Sequence, residues 1–252
     1  MPSPTCQLIR NATIKLRFPG FTMLVDPYLA DPGAGRSYAG ERTSPLVPLP
    51  LPVDELLADT DAIFVSHLHS DHFDDAARRH IGRGKLMLCP DAIAPALRKD
   101  GFNNVVGIDD EYQVAGLTLK MTGGRHGPAE VLADMGPVNG FLATLPGTRP
   151  IFWVGDSIWC PEVAAVIEAA RPTTVIVHAC GADWDGHGPL VMDEAMVEST
   201  LRAVPDGRVV ATHMDCVDHA TVSRAGLRAH FAKIPHLAAR LSIPEDGEVF
   251  SV

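Results

Sequence analysis

VSHLHSDHFDD, residues 65–75, closes an apolar run with three histidines and an aspartate inside six positions. The run that feeds it, DAIFVS (61–66), is short, apolar and bounded by polar residues, the pattern of a buried strand. In an extended segment residues i and i+2 point to the same side, so His67 and His69 can face one ion. Asp71 and His72 follow where the chain must turn. That turn can direct a carboxylate and a third imidazole toward a second ion about 3.5–4 Å away, the separation of two-metal hydrolytic sites. A strand end in need of polar caps would not concentrate histidine in this order. The stretch reads as a metal site.

The rest of the chain bounds what such a site can serve. Its 252 residues suffice for a large core, and we read 1–252 as one α/β domain. A net charge of −10 leaves no electrostatic footprint for a phosphate backbone, so the expected partner is a small-molecule substrate, with no nucleic acid and no membrane. The opening MPSPTCQLIRNATIKLRF lacks the apolar centre of a signal peptide, and no stretch approaches the ~18 consecutive apolar residues of a membrane span. Five cysteines, odd in number and without a CxxC pair, suit free thiols in a reducing cytoplasm. Helix faces such as AVIEAA can pack internally or against a second copy, which leaves a homo-oligomer open.

TIKLRF and FTMLVD flank PG, a turn signal, and predict an opening β-hairpin. Residues 31–56 are rich in Gly and Pro with little periodicity, a long loop that can wall a site. Strand-rich segments in the first half and β/α alternation in the second point to a layered α/β or α+β fold. GAG and GGRHG match neither the P-loop nor the dinucleotide spacing.

His67-Leu68-His69-Ser70-Asp71-His72 resembles the HxHxDH signature of the metallo-β-lactamase superfamily, and the resemblance extends over roughly residues 12–245. It implies a four-layer αβ/βα sandwich with the metal site on loops at one edge. It also implies three further ligands at later strand ends: His126 in TGGRHGP, Asp156 in IFWVGDS as the carboxylate shared by both metals, and His213 in RVVATHMD. The implied set is His67, His69 and His126 at one ion, and Asp71, His72 and His213 at the other. His80 falls in a predicted helix too close to the motif to compete, and His219 reads as a helix cap or surface residue. Imidazole and carboxylate donors suit two divalent ions, zinc first, with manganese and iron also compatible. Flavodiiron relatives carry Glu at the second motif histidine, so His69 favours hydrolysis over oxygen chemistry.

Asp26, in MLVDPYL, matches the aspartate that relatives place behind a metal histidine, where a carboxylate would fix the imidazole tautomer. VIVHACGADWDGHGPLVMD (175–193) resembles the ascorbate-6-phosphate-lactonase-like branch, with His178 and His187 as candidates for substrate contact. Cys216 reads as a buried thiol, and Met192 and Met196 as helix core. The resemblance implies metal-dependent hydrolysis of a small ester, lactone or phosphate ester, with Asp71 orienting the attacking water and moving its proton. Alternatives are a phosphodiesterase or nuclease of the same fold and a non-catalytic metal- or ligand-binding module.

Overall fold

The computed structural model of the protein describes residues 3–252. Six strands come first along the chain: β1 (Thr5–Arg10), β2 (Thr13–Phe18), β3 (Phe21–Val25), β4 (Ala62–Phe64), β5 (Leu86–Pro90) and β6 (Val105–Ile108). Eight follow: β7 (Glu111–Val114), β8 (Leu117–Thr122), β9 (Gly140–Thr144), β10 (Ile151–Trp153), β11 (Thr174–His178), β12 (Arg208–Thr212), β13 (Leu241–Ser242) and β14 (Val249–Ser251). They form two seven-stranded sheets, ordered β14-β1-β2-β3-β4-β5-β6 and β13-β12-β11-β10-β9-β8-β7. In each, an antiparallel meander (β1 to β3, β7 to β10) continues into parallel strands (β3 to β6, β10 to β13).

Alternating side chains send each parallel strand to two apolar layers, which is why these strands read as unbroken apolar runs. Ile176 of β11 and Val210 of β12, with Leu119 and Phe141 of their own sheet, face the other sheet and join Leu16 and Phe64 there in one core. Their neighbours Val175, Val177, Val209 and Ala211 face the helices α5 to α8 on the far side. These helices are α5 (Pro161–Ala170), α6 (Glu194–Ala203), α7 (Arg224–Phe231) and α8 (Pro235–Ala238). The first sheet is covered likewise by α1 (Val53–Ala58), α2 (Asp75–His80) and α3 (Ala94–Lys99), whose Leu56, Ala77 and Leu97 pack on Leu24, Ile63 and Met87. A short α4 (Leu132–Met135) lies in the β8–β9 connection. Helices, sheet, sheet, helices: the four layers follow from burying both faces of both sheets. Among the described residues no helix is long and apolar enough to cross a membrane.

At the sheet interface Phe141 stacks on Trp153, with ring centroids 5.2 Å apart, and meets Phe64 edge-on at 4.8 Å. Phe141→Ala would empty a fully buried site and lower unfolding free energy by about 3–5 kcal/mol. Chemical denaturation checks this, and a loss under about 1 kcal/mol would show that the cavity collapses instead.

The hairpin stands at β2–β3, but it does not open the sheet: β1 precedes it and pairs with β2 and with β14. The sequence TCQLIR mixes polar and apolar residues, and its Arg10 is buried through bonds to the carbonyls of Val47, Tyr28 and Ala30. Charge therefore hid a core strand. Met192 precedes α6 rather than lying on it, and Asp193 caps that helix through the Met196 N–H at 2.9 Å. Ser223, not His219, caps α7.

Candidate metal centre

The strand ends carry the site. Asp26 follows β3, the motif follows β4, and His126 follows β8. Asp156 follows β10, His178 ends β11, and His213 follows β12. β3, β4, β10, β11 and β12 each run parallel to a neighbour, and β8, two antiparallel steps from β10, points the same way as it, so the residues collect along one edge of the sandwich.

One group of donors comprises His67, His69, His126 and Asp156, with ligand atoms all within 4.8 Å of one another. His67 Nε2 lies 3.0 Å from His69 Nδ1, and His126 Nε2 lies 3.3 Å from Asp156 Oδ2. A second group comprises His72, Asp156, His178 and His213, so Asp156 belongs to both. His72 Nε2 is 3.1 Å from Asp156 Oδ2 and 3.2 Å from His213 Nε2. Asp71 sits at the margin of this second group, its Oδ2 3.3 Å from His213 Nε2 and 3.9 Å from His72 Nε2.

The outer ring nitrogens are occupied, and this sets which nitrogens face inward. His126 Nδ1 donates to the Leu190 carbonyl at 3.0 Å. His72 Nδ1 donates to Asp26 Oδ2 at 2.7 Å. Ser66 donates both its N–H and its hydroxyl to the two Asp26 oxygens, at 2.7 and 2.6 Å, which leaves Ser66 Oγ to accept from His67 Nδ1 at 2.8 Å. Asp26, buried and at a left-handed φ of 46°, thus holds His67 and His72 together in one tautomer. His213 Nδ1 lies 3.5 Å from Cys180 Sγ. Inward-facing imidazole lone pairs and two carboxylates, packed at these distances, repel one another unless a cation lies among them. Nitrogen and carboxylate oxygen donors in this number fit one or two divalent ions.

Charge in the cluster is uneven. Burial raises the carboxyls of Asp71 and Asp156, but the positive field of His72, helped by His213 for Asp71 and by His126 and His178 for Asp156, holds both well below the usual range. Burial lowers His72, yet Asp156, Asp71 and Asp26 push it up to about 10. Burial also opposes a proton on His213, but Cys180 and Asp71 hold it well above its ordinary value. His67 goes the other way, depressed by burial and by His72. Protons on His72 and His213 therefore mark where the field calls for a cation.

That field sets a pH dependence. A proton on His72, whose folded value of about 10 exceeds the ordinary 6.5, stabilises the metal-free fold fully below pH 6.5 and is lost as the pH rises toward 10. The stabilisation fades by up to about 1.4 kcal/mol per pH unit for one proton. A metal ion needs the same nitrogen deprotonated and binds better as pH rises. The melting temperature of chelator-treated protein is therefore expected to fall across this window while that of zinc-loaded protein holds. A gap between the two that stays constant or narrows with pH would contradict the assignment.

Of the remaining sequence candidates, His178 is buried and hydrogen-bonds Asp156 Oδ1 through Nδ1, so it braces the shared carboxylate from behind. Burial, outweighing Asp156, brings it down to about 4, which keeps it neutral. His187 is instead exposed on a turn, its ring 6.2 Å from that of Trp184, outside the cavity over the metal groups. Sequence reading did not reach Asn11. From the β1–β2 turn it takes a left-handed φ of 56° and donates to the Asp71 carbonyl at 3.1 Å. Its own carbonyl accepts the His213 N–H at 2.9 Å, tying the two residues of the second group together. The turn was hidden together with β1, and so were its partners. His219 was also misplaced: it lies on the cavity wall.

Two glycines permit this geometry. Gly155 adopts φ 74° immediately before Asp156, and Gly127 adopts φ 105° immediately after His126. A Cβ on Gly127 would stand 2.8 Å from Val131 Cγ2 and 2.9 Å from Leu190 Cδ2.

Above the donors opens a cavity of about 420 Å³ with His69, Asp71, His126, Asp156 and His213 in its lining. Loop residues Arg36, Ser37 and Tyr38 form part of its wall, so the 31–56 segment does border the site. Arg36 is the one Lys or Arg of that lining among the described residues, and its guanidinium lies over the Tyr38 ring at 4.7 Å.

The sequence profile of the Beta-lactamase superfamily domain matches residues 22–214. The UPF0173 protein YddR of Bacillus subtilis (strain 168) is 31% identical over 249 residues, 96% of this chain and 98% of that one. A possible metal-dependent hydrolase from Veillonella parvula DSM 2008 superposes with a TM-score of 0.95 at 28% identity, over 100% of both chains. The isothiocyanate hydrolase from Delia radicum gut bacteria superposes with a TM-score of 0.93 at 32% identity, over 98% of this chain and 99% of that one. These similarities support the superfamily and do not single out its ascorbate-6-phosphate-lactonase-like branch. With the two-sheet sandwich and the histidine–aspartate cluster at its edge, they lead to one conclusion: the chain belongs to the beta-lactamase superfamily and is a metal-dependent hydrolase of the metallo-β-lactamase fold.

Proposed function

We propose that the protein hydrolyses a small, largely uncharged substrate at an electrophilic carbon, an ester or lactone carbonyl, with two divalent metal ions, zinc first. The observation that carries this reading is the pair of donor groups joined at Asp156 beneath a cavity whose lining, among the described residues, contains a single Lys or Arg. Beyond the ions, Arg36 would be the one Lys or Arg of that lining, among the described residues, to meet the charge of a phosphate ester. His67, His69 and His126 would hold one ion, Asp71, His72 and His213 the other, and Asp156 both. When bound, the ions supply Lewis acidity and lower the pKa of a water toward ~7. Asp71, kept ionised by its surroundings, accepts the proton of the attacking water and delivers it to the leaving oxygen, giving acid and alcohol. Asp26 and His178 keep the imidazoles and the shared carboxylate oriented. The net charge of −10 supports a small molecule over nucleic acid or an anionic membrane, and five buried free cysteines support a reducing compartment such as the cytoplasm.

A second reading is favoured by the likeness to the isothiocyanate hydrolase, 32% identical across nearly the full chain. An isothiocyanate also offers an electrophilic carbon in a small, uncharged molecule. Water added there yields an amine and carbonyl sulfide, with Asp71 passing the proton to nitrogen instead of oxygen.

A turnover panel tests both: zinc-loaded protein against phenyl acetate, γ-butyrolactone, benzyl isothiocyanate and bis(p-nitrophenyl) phosphate. Chelator-sensitive turnover of a carbon electrophile is expected. Turnover of the phosphodiester alone would overturn the substrate class. Silence on all four with full metal loading would favour a binding module.

A further inference from the structure

Asp218 holds no place in the donor groups, and water activation does not require it. Its carboxylate nonetheless collects five donors from one segment about 180 positions earlier. Asp218 Oδ1 accepts the Tyr38 N–H at 2.8 Å. Oδ2 accepts the Ser37 hydroxyl and the N–H groups of Ala39, Glu41 and Arg42, at 3.2, 3.3 and 3.2 Å. Burial alone would raise this carboxyl; the bonds from Ser37, Tyr38, Arg42 and Ala39 outweigh it and hold the group below the usual carboxylate range. The segment contains no strand or helix. Its base is closed by the Ser44 N–H on the Arg36 carbonyl at 2.9 Å and the Gly35 N–H on the Ser44 carbonyl at 2.8 Å. The tip gathers around Asp218.

What the tip carries explains the arrangement. The Tyr38 hydroxyl lies 2.7 Å from Ser70 Oγ, between the motif residues His69 and Asp71. The Tyr38 ring lies 4.7 Å from the ring of His219, the residue next to Asp218, and both line the cavity. Trp184, Met135, Ala182, Leu190 and Val191 supply the apolar part of that lining. Flat aromatic groups together with apolar side chains suit an aromatic arm on the substrate.

We propose that Asp218 is a positioning residue that fixes loop 36–42 as the recognition wall of the cavity, so that Tyr38 and His219, with Trp184, select substrates bearing an aryl arm. The proposal rests on the reading of this cavity as the substrate site, but its test requires no turnover. Zinc-loaded full-length protein is compared with Asp218→Asn, nearly isosteric, and with Asp218→Ala. Hydrogen exchange at the amides of 38–42 is expected to accelerate at least about tenfold in both variants, with zinc content unchanged, because charge-assisted bonds to the loop are weakened or lost. Calorimetric titration with phenylacetate and acetate as probes is expected to show a wild-type preference for phenylacetate of about tenfold, which shrinks in both variants. Should Asp218→Ala fail to fold, Asp218→Asn carries both measurements. Three results would overturn the proposal: exchange at 38–42 unchanged or raised only as much as in the sheets, zinc lost on substitution, or no aryl preference in the wild type. Failure of the hydrolytic reading looks different, since it leaves loop exchange and probe preference as expected while the turnover panel stays silent.

Discussion

Asp156→Ala is expected to lower turnover by ~10³-fold or more and to reduce bound zinc at both halves of the centre. Its Oδ2 stands 3.1 Å from His72 Nε2 and 3.3 Å from His126 Nε2, so one oxygen addresses both groups of donors. Removing it would leave ions held by the two donor groups without the anion between them. It also strips His178 of its hydrogen-bond acceptor in a fully buried position. Metal analysis after dialysis, paired with kcat, checks the outcome. Zinc stoichiometry and kcat both within a few-fold of wild type would remove Asp156 from the centre.

Asp71→Asn is expected to separate proton transfer from metal retention. Asparagine preserves shape and can still bind through oxygen, but it cannot accept and return a proton. General acid–base groups contribute about 10²–10⁴-fold, so kcat is expected to fall by that order with KM nearly unchanged. The donors His67, His69 and His126 lie away from the change and should keep their ion. Steady-state kinetics with metal analysis checks this. A variant with wild-type kcat and pH profile would reassign Asp71 to support, alongside Asn11, whose side chain already ties it to the β1–β2 turn.

The donors were largely legible in sequence because metal chemistry restricts residue type, and the motif packs four candidates into six positions. The resemblance called for three later ligands, and His126, Asp156 and His213 matched them because each follows an apolar run with strand character. The strand patterns alone pointed to a layered α/β or α+β fold, and the four-layer architecture came with the resemblance that the motif carries. Geometry built from distant polar contacts was hidden. Arg10 masked β1, although its guanidinium is held by carbonyl contacts no local pattern reveals. His178 and His187 look alike in sequence; strand burial brings one behind Asp156, and a turn leaves the other in solvent. Asp218, His219 and Asn11 carry ordinary loop signatures, and their roles come from partners far along the chain.

The centre draws its donors from two sheets, one made by β1 to β6 and closed by β14 at the end of the chain, the other by β7 to β13. His67, His69, Asp71 and His72 extend from the sheet of β1 to β6, while His126, Asp156 and His213 extend from the sheet of β7 to β13. Neither half has a complete donor set. A nascent or partly opened chain, even one with native strands, is therefore chemically silent, and hydrolytic competence appears when the two sheets dock. The same division makes the metal a clasp: each ion bound between the halves adds to the grip of the apolar interface. An enzyme assembled in this way does not expose an activated water while its substrate cavity is still unformed.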